Sequence, residues 1–369
     1  MASPSSTFNF RRLPWAALSA LVAVLLLDSL ILGFDGPWER LAEHAPHRGG
    51  LRGLVAERIG QKHVRDRQSN QTGVFVAGSS RALHGFSFSA LNAEERALTA
   101  FAQIGRPSMG PFEIYSATDE MLRAEPDAVV VFASEFDTHR PVQIIPKMTN
   151  GNLSAIAGLV ADIGPSYTWS QRHNLYRLCL VDQLYSYRYR DLLGATTLNR
   201  FRRFPVPGER FESDEKPPAE SLNIDPLNNR EHQIRREQAY RRLLPRLPED
   251  SVKYRSQVRQ IFNIRRGPHV DIQQSQLRRA VRTLAEHGVA VLIVEAPLHP
   301  MAAEIYDTSI RTDFLHFAAE LATSPEVHFL ALDDVDPFSA DDFQDLTHLS
   351  RAGAERFTRR ILDALSASL

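Results

Sequence analysis

Cysteine is nearly absent from this chain of 369 residues, which contains only Cys179. A lone cysteine excludes an internal disulfide and a cysteine-based zinc site. Lysine is also scarce, so arginine supplies most of the positive charge; the lysines are Lys62, Lys147, Lys216 and Lys253. The formal net charge of -1 argues against nucleic acid as the main partner. Metal-ligand spacings are missing too, and the sequence predicts neither a metal nor a cofactor.

One long apolar run is present at residues 13–34, and it has about the length that crosses a bilayer. Arg11 and Arg12 precede it and acidic residues follow it, which favours a cytoplasmic N-terminus. We therefore predict a cytoplasmic segment at residues 1–12 and a single-pass signal anchor in the inner membrane, with the C-terminal part in the periplasm. A cleaved signal peptide is the alternative, but no small-x-small cleavage pattern follows the run.

The rest of the chain divides into a polar juxtamembrane stalk at residues 35–70 and an α/β domain at residues 71–369. Arginine- and tyrosine-rich sequence with helical spacing interrupts the domain at about residues 140–267, which predicts a helical insertion. Three interpretations of the insertion stay open: a groove for an anionic or glycan-like ligand, a contact with lipid headgroups, and a solvated helix face over an apolar stripe. The last is favoured because it is the commonest arrangement.

Short apolar runs alternate with amphipathic stretches on both sides of this insertion, which favours a doubly wound sheet. Strands are predicted at residues 74–77, 97–104, 127–132, 290–295 and 327–332. The third run is apolar on both faces, as in parallel sheets that helices cover. We therefore expect a flavodoxin-like, five-stranded parallel sheet.

The first candidate catalytic motif is Gly78-Ser79-Ser80-Arg81, where the first predicted strand turns sharply into a helix. Such a turn lifts one side chain clear of the sheet and leaves backbone N–H groups at a helix N-terminus, where developing negative charge is favoured. Ser80 is the candidate nucleophile. Ser79 is the alternative, although its side chain is expected to point the other way.

Asp345-Leu-Thr-His348 lies in a polar loop before the C-terminal helical pattern. Two such residues three apart can place the carboxylate on one imidazole nitrogen while the other nitrogen faces a cleft, as a serine nucleophile requires. The alternative is a loop histidine beside a helix-capping residue. Ser80, Gly105 and the Asp345–His348 loop all follow predicted strands, and the carboxyl ends of parallel strands share one edge of the sheet.

These motifs resemble the SGNH/GDSL hydrolase superfamily. Gly-Ser-Ser80 stands where the family has Gly-Asp-Ser, Asp345 and His348 match its Asp-x-x-His block, and Gly105 is similar to its oxyanion glycine. With the anchor, the chain looks most like the branch that contains the D-alanine transfer protein of teichoic acid modification and the alginate O-acetylation proteins. The resemblance implies a Ser80, His348 and Asp345 triad, an oxyanion hole from the N–H groups of Ser80 and Gly105, and a membrane-bound O-acyltransferase as partner.

The sequence departs from the family after the third strand, where an oxyanion asparagine is expected and Ala133-Ser-Glu-Phe-Asp137 is found. Ser134 offers a substitute donor, whereas the carboxylates of Glu135 and Asp137 would oppose an oxyanion. Losing one such donor costs on the order of 3 kcal/mol of barrier.

Further candidate substrate-binding residues are Arg81, His84, Ser134 and His299. Each has a structural alternative: an ion pair between Arg81 and a carboxylate such as Glu135, packing of His84 in the first helix, and capping of a turn by His299. The favoured function is a serine esterase or O-acyltransferase, transferring acetyl groups to a cell-envelope polysaccharide or glycolipid. The alternative is a non-catalytic subunit of the same fold that docks a membrane-bound O-acyltransferase.

Overall fold

The computed structural model describes residues 60–105, 109–139, 266–300, 308–332 and 337–369, with a few isolated positions: Ser19, Val22, Ala23, Leu26, Leu159 and Asp162. The predicted anchor and the predicted insertion therefore lie almost wholly outside the described residues. Among the helices that the structure does describe, none has the length and apolar character of a membrane span.

Strands and helices alternate along the described chain. The strands are β1 (Thr72–Gly78), β2 (Thr99–Gly105), β3 (Ala128–Ala133), β4 (Ala290–Glu295) and β5 (Val327–Leu330). The helices are α1 (Ser80–Gly85), α2 (Ala93–Leu98), α3 (Pro111–Leu122), α4 (Glu135–Thr138), α5 (Pro268–Glu286), α6 (Thr308–Leu321) and α7 (Arg351–Ser368). Short 3-10 turns occur at Phe88–Ala90 and Ala340–Asp342.

The five strands form one sheet in the order β2-β1-β3-β4-β5, and every neighbouring pair is parallel. This is the strand order of flavodoxin-like doubly wound sheets. The predicted α/β class with a five-stranded parallel sheet is confirmed. β3 lies at the centre and all six of its residues are buried, because helices cover both faces.

Two apolar cores hold the helices on the sheet. One core contains Ile114, Leu277 and Phe314, from α3, α5 and α6. The other contains Ala82 of α1 and Phe357 of α7, which pack on the opposite face. Burial of this apolar area is the main force that fixes α1 and α7 on the same side.

Several boundaries differ from those predicted, and two of these differences move residues from one predicted element to another. Residues 97 and 98 form the end of helix α2 and precede the strand. The helix begins after a capping box, in which Asn92 accepts from the Glu95 backbone N–H while the Glu95 side chain accepts from the Asn92 backbone N–H. Residues 60–70 were assigned to the stalk, but Val64 is fully buried in the first core and Arg67 pairs with Asp127 at 3.0 Å. This stretch packs against the α/β unit.

Candidate active site

The turn after β1 is shaped by close packing. Gly78 has φ +152°, and a Cβ there would lie 2.9 Å from the Cβ atoms of both Ala82 and Phe132. Ser79 is the N-cap of α1, and its hydroxyl accepts from the backbone N–H of Arg81 at 3.3 Å. Ser80 is therefore the first residue of the helix, with its side chain partly exposed. The hydroxyl of Ser79, the alternative nucleophile, is thus bonded to the start of its own helix.

The structure brings Ser80, His348 and Asp345 into one chain of hydrogen bonds. His348 Nε2 lies 2.9 Å from Ser80 Oγ. His348 Nδ1 lies 2.8 Å from Asp345 Oδ2 and 3.0 Å from Oδ1. Each imidazole nitrogen therefore has the partner that a general base in a serine triad requires.

Asp345 is held as an anion by its loop. Its Oδ1 accepts from the backbone N–H groups of Thr347 and His348, at 2.8 and 2.9 Å, and from the Thr347 hydroxyl at 2.9 Å. Burial alone would raise the pKa of Asp345, but the hydrogen bonds and charge of His348, with the bonds from Thr347, hold this pKa well below its usual range. A persistent carboxylate keeps the Nδ1 proton of His348 in place and leaves Nε2 as the basic nitrogen.

Gly105 lies beside the Ser80 turn because it pairs with Gly78 in the register of β1 and β2. A Cβ at Gly105 would lie 2.8 Å from Leu83 Cδ2 and 3.3 Å from the Gly78 carbonyl oxygen. A side chain at this position would crowd the Gly78 carbonyl and displace the end of the Leu83 side chain. The structure thus places the second predicted oxyanion residue next to the first residue of α1, whose N–H has no acceptor within its own helix.

Arg81 and Ser134 contact each other and lie apart from the hydrogen-bond chain of the triad. The Arg81 guanidinium is 2.5 Å from the Ser134 hydroxyl and 2.5 Å from Asp137 Oδ2. The side chains of Arg81 and Asp137 are only 9% and 7% exposed. The ion pair expected for Arg81 is therefore present, but its partner is Asp137, since Arg81 reaches the second carboxylate of the stretch after β3. Ser134 also caps α4 by accepting from the Phe136 N–H at 3.0 Å.

Glu135 is 1% exposed, and its Oε2 has no hydrogen-bond partner. Burial raises its pKa to about 7 against the opposing attraction of Arg81. Neither carboxylate after β3 therefore acts as a bare negative charge: that of Asp137 is neutralised by Arg81, and Glu135 holds a proton up to neutral pH. The expected opposition to an oxyanion is correspondingly reduced.

His84 and His299 each contact residues in or next to the triad loop. The His84 ring is centred 4.7 Å from the His348 ring, and its Nδ1 lies 3.0 Å from Gln344 Nε2. His299 is 2% exposed and packs edge-on against Phe343 at 5.2 Å. Burial lowers the pKa of His299 to about 4, although the Asp345 charge opposes this shift. His299 is thus a neutral ring within the loop packing.

Sequence reasoning missed Gln344, Thr347 and the pairing of Asp137. Thr347 was visible inside the Asp-x-x-His block, where a hydroxyl between the two residues indicates a bond to the carboxylate. Gln344 and Asp137 carry no local signal, because their roles depend on α1 lying against both loops. In the described part of the chain, no group of three or more His, Cys, Asp or Glu residues is placed to hold a metal ion.

Comparisons with known proteins add little to this geometry. A model of an uncharacterised protein family matches residues 237–369, which is less than half of the chain. The matched stretch contains Asp345 and His348 but not Ser80. A search of curated proteins found none that matches.

Proposed function

We propose that this chain is a serine esterase or O-acyltransferase of the SGNH type, anchored in the membrane and active outside the cytoplasm. The hydrogen-bond chain from Ser80 Oγ through His348 to Asp345 carries the proposal. It joins residues 268 positions apart at the carboxyl edge of a parallel sheet, where ligands of such folds bind.

The reaction follows from the groups present. His348 Nε2 takes the proton of Ser80 as Oγ attacks an ester carbonyl, and the resulting imidazolium is stabilised by the Asp345 carboxylate. His348 then protonates the leaving oxygen, which leaves an acyl group on Ser80 Oγ. In the second half of the reaction, a sugar or polyol hydroxyl, or water, gives its proton to His348 as it attacks the acyl carbon. His348 then returns the proton to Ser80 Oγ as the bond between Oγ and the acyl group breaks.

The developing oxyanion is assigned to the backbone N–H groups of Ser80 and Gly105. Supporting this assignment, Gly105 pairs with Gly78, the residue directly before the Ser79–Ser80 turn. We propose that the acyl group is acetyl, that the acceptor is a cell-envelope polysaccharide or a lipid-linked glycan, and that a membrane-bound O-acyltransferase supplies the acyl donor. These three parts rest on the resemblance in sequence.

A second candidate is a non-catalytic subunit that docks such an acyltransferase. The observation that favours it is the stretch after β3, where an asparagine donor is absent and the Ser134 hydroxyl is engaged by Arg81 and by the α4 cap. In this case the triad geometry would persist without turnover.

Turnover of p-nitrophenyl acetate by the purified full-length chain separates the two candidates. We expect the wild type to hydrolyse the ester, and Ser80→Ala and His348→Ala to lose at least about 10³-fold in kcat. Ser89→Ala is the matched control, because Ser89 is an exposed serine of the same region and should leave the rate unchanged. Equal background rates in all four proteins would favour the non-catalytic subunit.

A further inference from the structure

His84 lies one helical turn after Ser80, so both side chains project from the same face of α1. That face meets the loop that carries the other two triad residues. The rings of His84 and His348 are 4.7 Å apart between centroids and inclined by 59°. His348 therefore has the His84 ring as a neighbour in addition to Ser80 and Asp345 at its two nitrogens.

Gln344 determines how His84 is oriented. Its side chain is buried, at 2% exposed, and its Nε2 is 3.0 Å from His84 Nδ1. Because an amide nitrogen donates and does not accept, Nδ1 is the acceptor, and His84 is the neutral tautomer with its proton on Nε2. The backbone N–H of Gln344 also donates to the His348 carbonyl oxygen at 2.9 Å. One residue thus fixes both the His348 backbone and the ring that lies against its side chain.

We propose that His84 is a positioning residue for the catalytic base: oriented by Gln344, its neutral ring holds the His348 ring in line between Ser80 and Asp345. The expected effect on kcat rests on the proposed function, whereas the contact between the two rings is independent of it.

The surrounding charges make the neutrality of His84 important. From the loop, His348 faces it directly and Asp345 lies behind His348. On its own helix, Arg81 turns away to Asp137, and from β2 the Gln103 amide is bound to the Ala82 carbonyl oxygen. A proton on His84 would place a second positive charge beside the imidazolium that forms on His348 during acyl transfer, so a neutral neighbouring ring favours that step.

The kinetic test compares His84→Ala, which removes the ring, with His84→Phe, which keeps a ring and removes its nitrogens. On p-nitrophenyl acetate we expect His84→Ala to lower kcat tenfold or more with KM changed less than threefold, and His84→Phe to stay within threefold of the wild type. An unchanged kcat in His84→Ala would overturn the proposal, and so would a loss in His84→Phe equal to that in His84→Ala, since it would assign the effect to the nitrogens.

Proton NMR of the His348 ring provides a readout that needs no turnover. In the full-length chain the His348 ring signals should shift in His84→Ala, because the ring current of the neighbouring imidazole is lost, and should stay in place in Ser89→Ala. Unchanged His348 signals in His84→Ala would show that the two rings are not in contact and would contradict the proposal. If the wild type lacks ester turnover but His84→Ala shifts the His348 signals, the proposed function fails while the positioning contact stands.

Discussion

The turns that follow β1 and β3 share the same serine-capped geometry, but the residue after the cap has a different role in each. In each, a strand ends in a small residue and then a serine, Ser79 or Ser134, whose hydroxyl accepts from the backbone N–H two residues later and starts a helix. The residue after the cap is Ser80 in the first turn and Glu135 in the second. Ser80 is partly exposed and bonded to His348, whereas Glu135 is buried with an oxygen that has no partner.

This difference teaches that the backbone turn alone does not make a catalytic position. Ser80 acquires its chemistry because the loop before α7 lies opposite α1 and presents an imidazole. Glu135 projects into packed protein, where the field of Arg81 and the loss of water determine its protonation. Arg81 connects the two turns, since it follows the nucleophile in sequence and bonds to Ser134 and Asp137 after β3.

The largest expected effect comes from removing the carboxylate that orients His348, the proposed base of the first turn. Asp345→Asn replaces the acceptor of the Nδ1 proton by a group that favours the wrong tautomer of His348, and we expect kcat for ester hydrolysis to fall by about 10⁴-fold. Steady-state kinetics on p-nitrophenyl acetate measures the effect. A loss below tenfold would show that Asp345 does not orient His348 in the reaction.

The next largest effect is expected when the ion pair between Arg81 and Asp137, which joins the two turns, is removed. Arg81→Met leaves the buried Asp137 carboxylate without its cation, and we expect a loss of about 4 kcal/mol in the free energy of unfolding, measured by urea denaturation. The matched double variant Arg81→Met with Asp137→Leu removes both charges and should recover most of that loss. If the double variant is as unstable as the single one, packing by the Arg81 side chain, and not the ion pair, connects the turns.

The contribution of the second turn to the free energy of unfolding should depend on pH through Glu135. Glu135 has a folded-state pKa of about 7 against 4.5 for the free side chain, so its contribution to stability is fully present below pH 4.5 and is lost as pH rises through about 7. Glu135→Gln should therefore raise the free energy of unfolding by about 3 kcal/mol at pH 8.5 and change it little at pH 4.5.

Asp119→Asn is the control for this pH comparison, because Asp119 is an exposed carboxylate on α3. Its effect should be small and nearly the same at the two pH values. An equal effect of Glu135→Gln at both pH values would contradict the assignment of a raised pKa to Glu135.

The smallest expected effects test the serine N-cap that the two turns share. Ser79→Ala removes an N-cap and should cost about 1 kcal/mol of unfolding free energy. Ser134→Ala should cost about 2 kcal/mol, because the buried Arg81 guanidinium loses an acceptor as well. Differential scanning calorimetry of both variants gives the comparison. Equal losses would show that the bond from Arg81 to Ser134 contributes nothing to stability.

Much of the sheet was predictable from sequence because buried parallel strands leave uninterrupted apolar runs, as β3 and β4 do. The spacing of Asp345 and His348, together with the turn at Ser80, predicted three residues that the structure brings together. The predicted start of β2 was wrong, because Ala97 and Leu98 end helix α2, although their apolar character resembles a strand.

Contacts between separate loops could not be predicted in the same way. The choice of Asp137 over Glu135 by Arg81 depends on which of two nearby carboxylates faces α1. The role of Gln344 depends on a side chain from α1 that is 260 positions away in the sequence. Such pairings are decided by packing of the helices on the sheet, which residue patterns do not encode locally.

The most direct test of the central claim is covalent labelling of the full-length wild-type chain with a fluorophosphonate, followed by intact mass and peptide mapping. We expect one adduct per chain on Ser80, no adduct in Ser80→Ala, and labelling slowed at least about 10³-fold in His348→Ala. Adduct formation at another residue, or equal labelling rates in the wild type and His348→Ala, would contradict the claim that Ser80 and His348 form a nucleophile and its base.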